Sequence, residues 1–82
     1  MNAEHLVEMV NQIARFYEAY PNRDEALSST ARHIRRSWDP RMRVALLDHI
    51  DATDGEGLDP FALEAVRAHR ADLMPVARST KP

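Results

Sequence analysis

The sequence contains no cysteine. It therefore has no disulfide, no thiolate nucleophile and none of the ligands that iron–sulfur clusters usually require. Aromatic side chains make up only 6% of a chain that is 44% apolar, which leaves most of the packing to Leu, Ile, Val, Met and Ala. Glycine occurs twice, at positions 55 and 57, so the freedom to adopt positive φ is concentrated in one short stretch. No run of about 18 or more apolar residues is present, so no segment reads as a membrane-spanning helix. The start of the chain lacks the basic-then-apolar layout of a signal peptide, and the expectation is a soluble, cytoplasmic protein with no membrane contact.

Reactive motifs are equally scarce. There is no GxSxG, no HExxH, no glycine-rich phosphate loop and no nucleophile placed near a base. The four histidines, His5, His33, His49 and His69, fall on four separate predicted helices and form no metal-ligand motif. Asp51, Asp54, Glu56 and Asp59 do not follow the order of a calcium loop, and two of them already have turn or capping roles. The residues supply no active site, no metal site and no cofactor site, and the chain reads as a non-enzyme.

What is present is helical periodicity. Residues 3–20, AEHLVEMVNQIARFYEAY, repeat apolar positions at Leu6, Met9, Val10, Ile13, Phe16, Tyr17 and Tyr20, the spacing of an amphipathic helix. Pro21 stops it. Asn22 followed by Glu25 has the spacing of a capping box and opens a second helix over about 23–37, with Ala26, Leu27, Thr30, Ala31 and Ile34 inward. Asp39-Pro40 is a cap residue followed by proline at the first helical position, and Met42, Ala45, Leu46 and Ile50, flanked by His49, form the inward stripe of a third helix. Gly55 and Gly57 turn the chain, Asp59-Pro60 repeats the cap-plus-proline device, and Leu63, Val66, His69 or Arg70, and Leu73 give a weaker fourth stripe. No stretch alternates like a strand. The expected fold is all-α, a small bundle of three to four helices over residues 1–74, followed by a flexible tail over 75–82. At 82 residues the core is thin, and a partner is expected to contribute to stability.

One cluster is not needed by such a bundle. HIRRSWDPRMR, residues 33–43, together with Arg32, gathers five arginines around Trp38 in a chain of net charge -2. A solvated helix face would explain the charges alone. Arginine in place of lysine favours bidentate contact with carboxylate or phosphate, and Trp beside Arg is the pairing enriched at interface hot spots. With half of the Trp38 ring expected inside and half exposed, the candidate partner-binding residues are Arg35, Arg36, Trp38, Asp39, Pro40, Arg41, Met42 and Arg43. Trp38 and Met42 serve as apolar anchors, and Asp39 and Pro40 fix the junction. Phe16 and Tyr17 are candidates for the same partner-facing surface, although their helical spacing favours the core. A helix-turn-helix reading would use Arg41 and Arg43 on DNA, but a sequence pI near 6.0 and the acids Asp48 and Asp51 on the same helix oppose approach to phosphates.

Three blocks carry a resemblance: HLVEMVNQIARFYEAYP at 5–21, HIRRSWDPRMR at 33–43 and GEGLDPFALEAV at 55–66. In these the chain resembles the delta subunit of NAD-dependent, molybdenum-containing formate dehydrogenase. The resemblance implies an accessory subunit without a redox centre, associated with the catalytic (alpha) subunit and supporting assembly, cofactor insertion or stability. A second reading gives the arginines the phosphates of a guanine dinucleotide cofactor, making the chain a cofactor chaperone. An isolated copy is expected to pair with a second copy through its partner-facing surface.

Overall fold

A computed structural model of the chain describes residues 2–75. Over these it forms helices α1 (Ala3–Glu18), α2 (Arg23–Ser37), α3 (Pro40–Thr53), α4 (Pro60–Ala68) and the single turn α5 (Arg70–Leu73), with no strand among the described residues. The expected all-α bundle is what forms. Residues 76–82, most of the expected tail, lie outside the described residues, and Pro75 is buried.

Local chemistry sets the helix ends. The Asn2 carboxamide oxygen accepts from the Glu4 and His5 amides, and Asn22 does the same for Glu25 at 2.8 Å, satisfying amides that have no partner inside their helices. Asp39, restricted by the proline that follows it, is extended at φ -75°, ψ 165°, so α2 cannot run through it. Its carboxylate accepts from the Met42 amide at 3.1 Å and opens α3. Asp59 behaves differently from its twin. It precedes Pro60 at the start of α4, but its side chain makes no cap bond; the carboxylate turns to Arg15 at 3.6 Å instead.

Packing centres on α2, which lies against α1, α4 and α5, while α1 also meets α3 and α4. All five residues expected on the inner face of α2 are buried. The Thr30 hydroxyl, wholly inside, donates to the Ala26 carbonyl at 2.8 Å, so its burial leaves no orphan donor. A single apolar cluster runs from Leu6, Val10 and Ala14 through Ile34 and Trp38 to Leu46, Phe61, Val66 and Leu73.

Three elements depart from the sequence expectation. On α1 the buried residues are Leu6, Val7, Val10, Asn11 and Ala14, a stripe turned by roughly a quarter of a revolution, at about 100° per residue, from the expected one. Met9 and Ile13 pack at its edge, and Phe16 and Tyr20 are exposed. On α3 the stripe runs through Arg43, Leu46, Leu47 and Ile50, with Met42 and Ala45 only half-buried. The expected fourth helix breaks at His69, whose φ of -117° and ψ of 28° are not helical. It restarts as α5, and the break lets Leu73 reach the core.

Asn11 ties the long connection between α3 and α4 to α1. Its amide nitrogen donates to the Gly57 carbonyl at 3.0 Å and its oxygen accepts from the Asp59 amide at 2.9 Å. The connection itself needs left-handed backbone, at Asp54 (φ 63°), Gly55 (φ 79°) and Gly57 (φ 89°). At Gly55 the positive φ favours glycine, and a Cβ there would also lie 2.6 Å from a methyl of Leu63, which would have to move aside. Asn11→Ala, which removes both hydrogen bonds, is expected to cost about 1–3 kcal/mol, read as a lowered midpoint in urea unfolding followed by far-UV circular dichroism.

Candidate interaction surface

The arginines sort by what they touch. Four are paired within the chain: Arg15 with Asp59, Arg23 with Glu64, Arg67 with Asp54 and Arg70 with Asp51. The last is bidentate, at 2.9 and 3.0 Å. These pairs occupy three of the acids that invited a calcium reading, and among the described residues no group of three His, Asp or Glu side chains is placed to hold a metal ion. Arg43 is inside. Arg32, Arg35, Arg36 and Arg41 are exposed, and none of the ion pairs among the described residues involves them. Arg78 lies outside the described residues.

The expected partner-binding residues therefore divide. Arg35 and Arg36 stand on the last turn of α2, where positive charge also complements the helix dipole. Asp39, Pro40 and Arg41 are exposed at the start of α3, and Met42 is half-buried against the core. Trp38 is not half-exposed as expected. Only 4% of it is accessible, because α2 ends on it in extended conformation, its amide still bonded to the Ile34 carbonyl at 2.9 Å, and the ring belongs to the main apolar cluster. Arg43 is likewise inside, 9% exposed. One terminal nitrogen donates to the Leu73 carbonyl at 3.2 Å, and Nε has no partner. Its aliphatic stem fills space while its head ties α3 to α5.

Phe16 moves the other way. Spacing assigned it and Tyr17 to the core, yet Phe16 is 66% exposed and Tyr17 is half-buried. With Tyr20 they form an aromatic group at the end of α1, ring centroids 4.9, 5.4 and 6.4 Å apart in edge-to-face arrangements. Such geometry is favourable for rings whose faces are negative and edges positive. Across from it on α2, His33 lies 5.8 Å from the Tyr17 ring and its Nδ1 is hydrogen-bonded to the Tyr17 hydroxyl at 3.2 Å.

Between them opens a cleft of about 440 Å³ lined by Tyr17, Tyr20, Ser29, Arg32, His33, Arg36 and Ser37. No carboxylate lines it. A smaller cleft on the far side of Arg32, about 270 Å³, contains Arg35, His69 and Asp72. A third, about 710 Å³ and lined in part by Glu4, His5, Glu8, His49 and Glu56, has the opposite charge character. The His49 Nε2 there donates to the Glu56 carbonyl at 2.8 Å and so helps hold the α3–α4 connection.

Sequence periodicity missed the aromatic group because apolar side chains cover more than one face of α1. The available signal was the unbroken row Leu6, Val10, Ala14, which leaves Phe16 off the stripe.

Against known families, residues 5–66 match the family described as NADH-dependent formate dehydrogenase delta subunit, FdsD. The chain belongs to this family. No curated protein and no solved structure matches the chain. The match to the delta-subunit family takes in most of α1, all of α2 and α3 and most of α4, and with them the aromatic group, the exposed arginines and the loop held by Asn11. It ends before α5. As a member of the family the chain is a component of an oxidoreductase assembly, and no helix among the described residues is long and apolar enough to cross a membrane.

The burial pattern makes a paired prediction. Trp38→Ala is expected to lose about 3–5 kcal/mol, most of the stability of so small a domain, whereas Phe16→Ala is expected to stay within about 0.5 kcal/mol of the parent. Thermal unfolding of the two variants side by side checks this, and equal losses would place Phe16 in the core.

Proposed function

We propose that the chain is a non-catalytic accessory subunit that docks in the cytoplasm on the molybdenum-containing catalytic subunit of formate dehydrogenase and supports assembly, cofactor insertion or stability of the complex. The observation that carries this reading is the set of four exposed arginines, Arg32, Arg35, Arg36 and Arg41, that form no ion pair among the described residues, two of which, Arg32 and Arg36, share a cleft with Tyr17 and Tyr20. Where this fold needs an arginine for its own stability it supplies a carboxylate or a carbonyl, as at Arg70 and Arg43. The remaining guanidiniums are left for carboxylates of another molecule, where desolvated charge-assisted bonds are worth more than on an open surface. Arg35, Arg36 and Arg41 make those contacts, with Met42 and the edge of the Asp39-Pro40 junction between them. Trp38 and Arg43 act from inside: they fix the angle at which α2 delivers its last turn to α3.

The cofactor-chaperone reading draws on a different observation, the two hydroxyls of Ser29 and Ser37 beside Arg32 and Arg36 in one cleft. Saturable binding of GDP by the isolated chain would favour it.

Co-purification with a tagged catalytic subunit tests the docking reading. Arg35→Glu combined with Arg41→Glu is expected to lower recovery about tenfold, the size of effect that about 1.4 kcal/mol of lost affinity produces. Its melting temperature should be unchanged, since exposed arginines contribute little to the fold. Undiminished recovery of the folded variant would remove this surface from the interface. Omitting the chain from expression of the complex separates the roles, because lost molybdenum indicates insertion and retained metal in a fragile complex indicates structural support.

A further inference from the structure

We propose that the cleft between the C-terminal ends of α1 and α2 receives an acidic segment of the catalytic subunit, its carboxylates on Arg32 and Arg36 and an apolar side chain on Phe16 and Tyr20. This rests on the docking reading and adds to it a specific seat and the chemistry of the occupant.

Three observations carry it. Arg32 and Arg36 are one helical turn apart on α2 and both line the cleft. Like charges at that spacing destabilise an isolated helix, so the pair is not there for helix stability. Among the described residues every arginine that pairs with an acid does so elsewhere, and no carboxylate lines the cleft. The one acid near Arg32, Asp72, stands in the separate cleft against His69 at 3.7 Å and pairs with neither Arg32 nor Arg36, which leaves this cleft suited to a counter-charge from another molecule.

The apolar half of the seat is equally particular. Phe16 is 66% exposed, which leaves most of a large apolar ring in water, an unfavourable arrangement that burial against a partner would relieve. The ring is not loose. Tyr17 and Tyr20 brace it edge to face, and Tyr17 is held in turn by His33 at 3.2 Å. Phe16 adjoins Tyr20, which lines the cleft together with the two guanidiniums; a braced aromatic ring at the edge of such a cleft costs little entropy to bind against, and it calls for an occupant that offers an apolar side chain next to acids.

A nucleotide phosphate would meet the same arginines, but the helix ends decide against it. Phosphates favour helix N-termini, where amides point outward. This cleft reaches the last turns of both α1 and α2, through Tyr17 on one and Arg36 and Ser37 on the other, where the negative ends of both helix dipoles oppose the larger charge of a phosphate. A peptide carboxylate bears less charge than a phosphate and pairs in plane with one guanidinium.

Photo-crosslinking in the assembled complex tests the assignment. With benzoylphenylalanine at position 16 or 20 of the full chain, illumination is expected to join it to one segment of the catalytic subunit that contains Asp or Glu near an apolar residue. Arg32→Glu with Arg36→Glu should reduce the crosslink about tenfold, Arg32→Gln with Arg36→Gln should reduce it less, and Asp or Glu→Arg changes in the joined segment should restore it to the Glu variant. A complex that forms and yields no crosslink from either position, a joined segment without carboxylates, or displacement of the crosslink by GDP would overturn the assignment while leaving docking through Arg35 and Arg41 intact. Failure of the parent chain to join the complex at all would overturn both.

Discussion

Burial of Trp38 is the constraint on which the remaining geometry depends. The residue closes α2 with its amide and enters the core with its ring, and Pro40 forbids Asp39 to continue the helix. Together these set the direction in which α3 departs, and so where Arg41 stands relative to Arg35 and Arg36. The largest side chain of the cationic segment is thus a structural pivot, and the charges around it are displayed because it is hidden.

Charge is divided along the same lines. Acids between Asp51 and Asp59 meet Arg70, Arg67 and Arg15, and Arg23 joins Glu64 while lying over the Phe61 ring at 5.4 Å. Each of these pairs links two different parts of the chain, although exposed pairs of this kind add little individually. Arg32, Arg35, Arg36 and Arg41, by contrast, form no ion pair among the described residues. An overall charge near neutrality conceals this separation completely.

How much the sequence reveals varies by helix. On α2 the polar and apolar residues separate cleanly, so Ala26, Leu27, Thr30, Ala31 and Ile34 are legible as the inner face and Asn22 as its cap. On α1 they do not, since Met9, Ile13 and Phe16 compete with Val7 and Ala14 for the same role, and only the neighbouring helices decide between them. Arg43 and Asn11 are invisible to any reading of hydrophobic period, because their burial depends on carbonyls at Leu73 and Gly57, far along the chain. The candidate surface was half legible: its arginines stood out by composition, whereas its aromatic part looked like core and its tryptophan looked like surface.

The connection between α3 and α4 has a consequence for how this chain can change over generations. Asn11 grips it by main-chain atoms, and three of the four residues from Asp54 to Gly57 sit in left-handed backbone. Loops ordinarily absorb drift more freely than helices do. Here the order reverses, and the bend that carries no chemistry becomes one of the least replaceable passages of the molecule, while much of the helical exterior remains open to change.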